Sequence, residues 1–195
     1  MKSSRLSAYD ITLGSLFVAL MAIGANITAF MPFLQVMGVP LTLQTFFAIL
    51  AGLVLGSRLG SFSVLVYALL GLVGAPIFAG FKGGISMLIS PTFGFILSFI
   101  IVAYAVGKIA ESKRNLRTYI AAALVGIVLN YFIGVNLFYL AMNFWVGGDG
   151  IGFVLAWSSM VPFLIKDIGL AVVSAFFAIR LEKSLLHRTP LRQAA

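Results

Sequence analysis

The sequence contains no cysteine and a single histidine, His187, which lies in a polar C-terminal segment. The first absence excludes thiolate metal sites, thiol nucleophiles and disulfides. The second leaves the apolar body of the chain without an imidazole to ligate a metal or act as a general base. Charge is scarce too. Only 9% of the 195 residues are charged, against roughly 25% in a soluble domain, too few to solvate a globular surface. Acids are rarer still, at 5 against 13 Lys and Arg. No G-x-x-x-x-G-K-[ST] loop is present for nucleotide phosphates, nor a His/Glu metalloprotease pattern, nor a serine nucleophile elbow, so an enzyme is poorly supported. The chain shows no inverted repeat of the alternating-access type, no arginine ladder and no ring of acids, which argues against conventional carriers, voltage sensors and channels.

What the sequence has in abundance is apolar residues, 62% of the total, and they come in runs such as Ile11 to Pro32 and Ser90 to Ala110. About 20 apolar residues at 1.5 Å rise cross a hydrocarbon core, so these runs read as membrane helices. The expectation is an all-α membrane protein, one transmembrane domain over 1–195. Its bundle of six spans falls at about 10–31, 41–57, 61–79, 91–110, 118–142 and 154–180. Met31-Pro32 and Val39-Pro40 bracket the first loop, because proline and the residue before it resist helix. Gly56 to Gly60 makes a tight turn, Gly80 to Pro91 a longer loop, Lys108 to Arg117 a polar connection, and Gly147 to Gly150 the last loop. Lys2 and Arg5 before the first run fit a signal peptide in charge, but the run is too long and lacks a small-x-small cleavage site, so it reads as a retained helix. The short second and third spans also allow a re-entrant pair.

Charge placement sets the orientation. With both termini cytoplasmic, inner segments hold Lys2, Arg5, Arg58, Lys108, Lys113, Arg114, Arg117, Arg180, Lys183, Arg188 and Arg192, while the outer loops hold only Lys82. This is the positive-inside pattern, and an even number of spans is needed for it. The net charge of +8 therefore reads as topology signals and lipid-headgroup contacts rather than a nucleic-acid surface.

Lys166 and Asp167 lie inside the last expected span. Ionisable groups in a bilayer cost several kcal/mol unless paired or hydrated, which makes them candidate site residues. Asp167 precedes Arg180 by 13 residues, roughly 20 Å of helix, so it belongs to the outer half of the membrane. Pro162, one turn earlier, is expected to bend the helix and widen a cavity. Adjacent helical residues point about 100° apart, so a direct Lys166–Asp167 pair is not expected. An interfacial position for the pair, or a snorkelling Lys166, remains open. Asn130, mid-span in the fifth helix, is either interhelical glue or a ligand contact. Lys82 is either solvated or within reach of an anionic ligand. Thr42 stands where it could cap the second span, next to Gln44. Ser15, Ala19, Ala22 and Asn26 share one face of the first span. That face suits close packing within the bundle or docking against a partner membrane protein.

The blocks Val39-Pro40-Leu41-Thr42-Leu43-Gln44-Thr45, Gly74-Ala75-Pro76-Ile77-Phe78-Ala79-Gly80 and Pro91-Thr92-Phe93-Gly94 resemble the BioY family in order and spacing, with Ala51-Gly52, Arg58, Gly60, Tyr67 and Gly83-Gly84 between them. The resemblance covers nearly the whole chain. It implies a substrate-binding S component of an energy-coupling-factor (ECF) transporter in the bacterial plasma membrane, which takes biotin from the outer face. It implies no cofactor, and energy from a separate transmembrane coupling protein and a cytoplasmic ATPase pair. Ser15, Ala19 and Ala22 then form the docking face, and the loop over about 80–90 looks like a lid. Asp167, Lys166, Asn130, Lys82, Phe78, Phe81, Gln44 and Thr92 become the expected biotin-site residues. In many members of the family a Lys follows the Asp by three positions. Here that position is Leu170, and Lys166 lies about 40° from it on a helix. An S component for another vitamin, and an assembly protein that binds no small molecule, are the competing readings.

Overall fold

The structure, a computed structural model, describes residues 7–30, 35–36, 39–147 and 150–185. Lys2, Arg5, Met31-Pro32, part of the Gly147–Gly150 loop, His187, Arg188 and Arg192 lie outside the described residues. Helix α1 runs over Ala8–Phe30, α2 over Gln44–Val73, α3 over Phe93–Ala110, α4 over Leu116–Phe144, α5 over Phe153–Ser159 and α6 over Val161–Leu185. A 3₁₀ turn covers Ile85–Ile89. Two-residue strands β1 (Gln35–Val36) and β2 (Val39–Pro40) pair antiparallel between α1 and α2. A helix satisfies its backbone within the segment, as an apolar run in hydrocarbon requires. Helices α1, α3, α4 and α6 are each long and apolar enough to cross a membrane, and α2 is so when its 30 residues are counted as one helix. Large apolar side chains such as Val128, Phe132, Ile165, Phe176 and Phe177 stand on their outer faces.

Helix α2 is a hairpin. Gly56 has φ 81° and ψ 178°, outside helical space, and the chain folds back there. Gln44 Nε2 consequently lies 2.9 Å from Tyr67 Oη, whereas a straight helix would separate these residues by about 35 Å. The arms, 44–55 and 57–73, pack on α3 so closely that a Cβ at Gly107 would sit 2.3 Å from Ser57 N. Glu111, at the end of α3, accepts from Ser57 N at 2.7 Å and Ser57 Oγ at 2.8 Å. It thereby satisfies the second arm where its first amide lacks a helical partner. Burial alone would raise the Glu111 carboxyl, but the Ser57 bonds and the Lys108 and Arg114 charges outweigh it and hold the group below its ordinary value.

Several boundaries differ from expectation for local reasons. The second arm stops at Val73, short of 79, because Gly74 takes a left-handed cap conformation with φ 117° and Pro76 follows. The expected span 154–180 is two helices, α5 and α6, parted at Met160. Pro162 falls in the first turn of α6, where its missing N–H costs no helical bond, so it begins a helix instead of bending one. Thr42 does not cap α2; the cap position is Leu43, with no side-chain bond. Asn115 caps α4, accepting from Thr118 N at 2.9 Å. Helix α2 packs on α1, α3 and α6, and α4 packs on α3 and α6. On α1, Ser15 and Ala19 are exposed and Ala22 is half-buried.

Gly56→Ala should destabilise the purified protein by about 1–3 kcal/mol, the cost of a Cβ in this backbone region. Its thermal unfolding midpoint in detergent should fall accordingly.

Candidate functional site

Asp167 is 4% exposed, in the second turn of α6. A carboxylate there must be met by donors, and three elements supply them. Thr45 Oγ1, in the first turn of α2, donates to Oδ2 at 3.0 Å. Tyr131 Oη, in the middle of α4, donates to the same oxygen at 2.9 Å. The Lys166 ammonium lies 2.9 Å from Oδ1, which has no hydrogen-bond partner of its own. This corrects the expectation that the two neighbours cannot pair: the four-carbon stem of lysine is long enough to curl back across the angle between them. Lys166 Nζ also donates to the Thr42 carbonyl, tying α6 to the segment that leads into α2.

These groups border a cavity of about 510 Å³, within the range of small-molecule sites. Of the expected site residues, Asp167, Lys166, Asn130, Lys82, Phe78, Gln44 and Thr92 line it. Phe81 does not. Its side chain is 54% exposed and stands outside the wall, because the backbone turns over at φ 54° at this residue. Phe78, by contrast, is 1% exposed and packs edge-to-face on Tyr67 and Phe93. Phe95, Ile96, Phe99, Met160 and Phe163 complete an apolar wall.

Polar capacity in the cavity is unevenly spent. Asn130 Oδ1 lies 2.7 Å from Ser98 Oγ, and its Nδ2 makes no hydrogen bond among the described residues, so the amide offers a donor. Gln44 spends its Nε2 on Tyr67 Oη, which in turn donates to the Ile77 carbonyl at 3.0 Å. Asp167 Oδ1 meets only the Lys166 ammonium. The cavity therefore holds one carboxylate and an amide donor among largely apolar walls, with Lys82 on the loop side. Sequence reasoning missed Tyr131 and Thr45. Each lies beside a residue it singled out, Asn130 and Gln44, in a run otherwise apolar. The usable signal was a hydroxyl within an apolar helix, which must find an acceptor.

The BioY family model matches residues 1–187. The chain belongs to the BioY family. A putative biotin transporter, BioYB of Bacillus subtilis, is 42% identical over 193 residues, 97% of this chain and 95% of the relative. The biotin transporter BioY of Thermotoga maritima is 37% identical over 177 residues, 89% of this chain and 95% of the relative. Among solved structures, the S-component for biotin from an ECF-type ABC transporter superposes with a TM-score of 0.77. It is 21% identical and covers 94% of this chain and 95% of the other. That likeness shows the fold: an all-helical S-component architecture. As a BioY protein with several long apolar helices, the chain is a multi-pass membrane protein.

Thr45→Val and Tyr131→Phe each remove one donor from Oδ2 and should each cost about 1–3 kcal/mol of stability. Because they share an acceptor, a double-mutant cycle by unfolding in detergent should show coupling above about 0.5 kcal/mol. Additive effects would mean that the shared carboxylate does not link α2 to α4.

Proposed function

We propose that this BioY protein is a substrate-binding membrane component for biotin uptake, and that the cavity around Asp167 is its biotin site. The observation that carries this reading is a buried carboxylate whose Oδ1 meets only the Lys166 ammonium, lining the same largely apolar cavity as an Asn130 amide donor. Biotin's ureido ring has two N–H donors and one carbonyl. The N–H groups suit Asp167 Oδ1, a charge-assisted bond strengthened away from water. The carbonyl suits Asn130 Nδ2. The valerate carboxylate suits a cation, Lys82 at the loop or Lys166, and the half-buried Phe95 and Phe163 offer apolar surface to the bicyclic ring.

What meets at each end supports an orientation. Ser57–Glu111 and Arg114–Glu182 contacts gather the α2 turn, the α3–α4 connection and the end of α6 at one end. Arg58, Lys108, Lys113, Arg114, Arg117, Arg180 and Lys183 belong to these segments, which supports this as the cytoplasmic end by the positive-inside rule. With the two arms of α2 counted separately, the bundle has six crossings and both termini face the cytoplasm. Lys82 and the cavity then face outward. Energy is drawn from a coupling protein and ATPase pair of the ECF type, and the exposed Ser15 and Ala19 on α1 provide a close-approach face for the coupling protein. No cofactor enters this scheme.

Asp167→Asn should weaken biotin binding at least thirtyfold, about 2 kcal/mol, as expected for one partner of a buried charge pair. The check is equilibrium binding to the purified protein, with heat stabilisation by biotin as the companion readout. Unchanged affinity would remove Asp167 from the site.

A further inference from the structure

The loop that follows the second arm of α2 brings Phe78, Ala79, Gly80 and Lys82 to the cavity. Its shape is not one that the chain adopts by default. It reverses through Gly80 at φ 75° and Phe81 at φ 54°, and closes with reciprocal Phe78–Lys82 backbone bonds of 3.0 and 3.2 Å. A left-handed backbone is unfavourable for phenylalanine, so something must hold Phe81 there.

Asn26 of α1 does so. Its Oδ1 accepts from Phe81 N at 2.7 Å, and its Nδ2 donates to the Ile77 carbonyl at 3.3 Å and to Ala22 O at 3.0 Å. The side chain is 4% exposed and does not line the cavity. An asparagine in a membrane helix commonly bonds to another helix. Here its two bonds beyond α1 go to the backbone of an irregular loop, at Ile77 and Phe81, which flank the cavity-lining residues Phe78 to Gly80. Two residues earlier on α1, the Gly24 carbonyl accepts from Leu43 N at 2.8 Å, holding the segment that carries Thr42 and Gln44. Helix α1 thus grips both wall segments. Displacing it from α2 must carry the loop along or break these bonds.

We infer that Asn26 is a positioning residue for ligand retention, fixing the 77–82 loop to α1 so that Phe78 and Lys82 stay at the cavity. The inference rests on the biotin reading above. Asn26→Leu removes both loop bonds, and Asn26→Asp keeps an acceptor for the Phe81 N–H. In the purified full-length protein, Asn26→Leu should speed amide exchange at Phe81 and speed biotin dissociation about tenfold. The number of biotin sites per protein should stay the same. Asn26→Asp should give an intermediate dissociation rate. A purely structural role would instead lower the number of sites and leave the dissociation rate of the survivors unchanged, and that result overturns the inference. So does a rate within about twofold of wild type once Phe81 exchange has risen. If Asn26→Leu does not fold, Asn26→Asp decides, and a wild-type rate there overturns it. The Asp167→Asn reference keeps the two claims apart. If that variant binds biotin normally, both fall; if it binds weakly while the Asn26 variants behave as wild type, only this inference falls.

Discussion

The arrangement of the cavity end of this bundle depends on one carboxylate. Asp167 cannot be left in an apolar interior without partners, since breaking a buried ion pair costs about 3–5 kcal/mol. Its partners come from α2, α4 and α6, and through Lys166 the tie extends to the Thr42 carbonyl. Three elements that would otherwise be free to close on one another are thus held at a fixed spacing around a polar centre. The cavity is the space that this spacing leaves, and Asp167 is its one acidic lining residue among the described residues.

The other end of the bundle is built differently. There the backbone itself makes the contact, with Gly107 of α3 against the turn at Gly56 and Ser57, and the Glu111 carboxylate on the turn's amide. Close backbone packing between α2 and α3 leaves no room for a ligand. Arg58, Lys108, Arg114, Arg180 and Lys183 belong to the segments that meet at this end. One molecule therefore has a packed, basic end suited to the cytoplasm and an open, ligand-sized end, with α1 linking to the loops of the open end through Asn26 and Gly24.

Much of this was legible in the sequence because the signals are local. Apolar runs give helices, Gly56 gives the turn, and a charge in an apolar run marks Asp167. What was not legible depends on long-range contact. Tyr131 and Thr45 look unremarkable until folding brings both to Asp167, from 36 and 122 residues away. The Lys166–Asp167 pair was judged by the directions of Cα–Cβ bonds, which ignores the reach of a lysine stem. The break at Met160 was hidden because both flanks are apolar, so hydropathy runs through it unbroken. Phe81 was assigned by type and position, whereas its side-chain direction is set by a backbone reversal that only the Asn26 contact reveals.

The absence of cysteine makes the central claim, that biotin occupies the cavity around Asp167, directly measurable. A single cysteine placed at Met87, which lines the cavity, and another at Ser112, exposed at the opposite end, have no background thiol to compete with them. Maleimide labelling rates with and without saturating biotin report on each position. At about 100 times the dissociation constant, bound biotin should slow labelling of Met87→Cys well over tenfold and leave Ser112→Cys unchanged. Equal labelling of Met87→Cys with and without biotin would contradict the account.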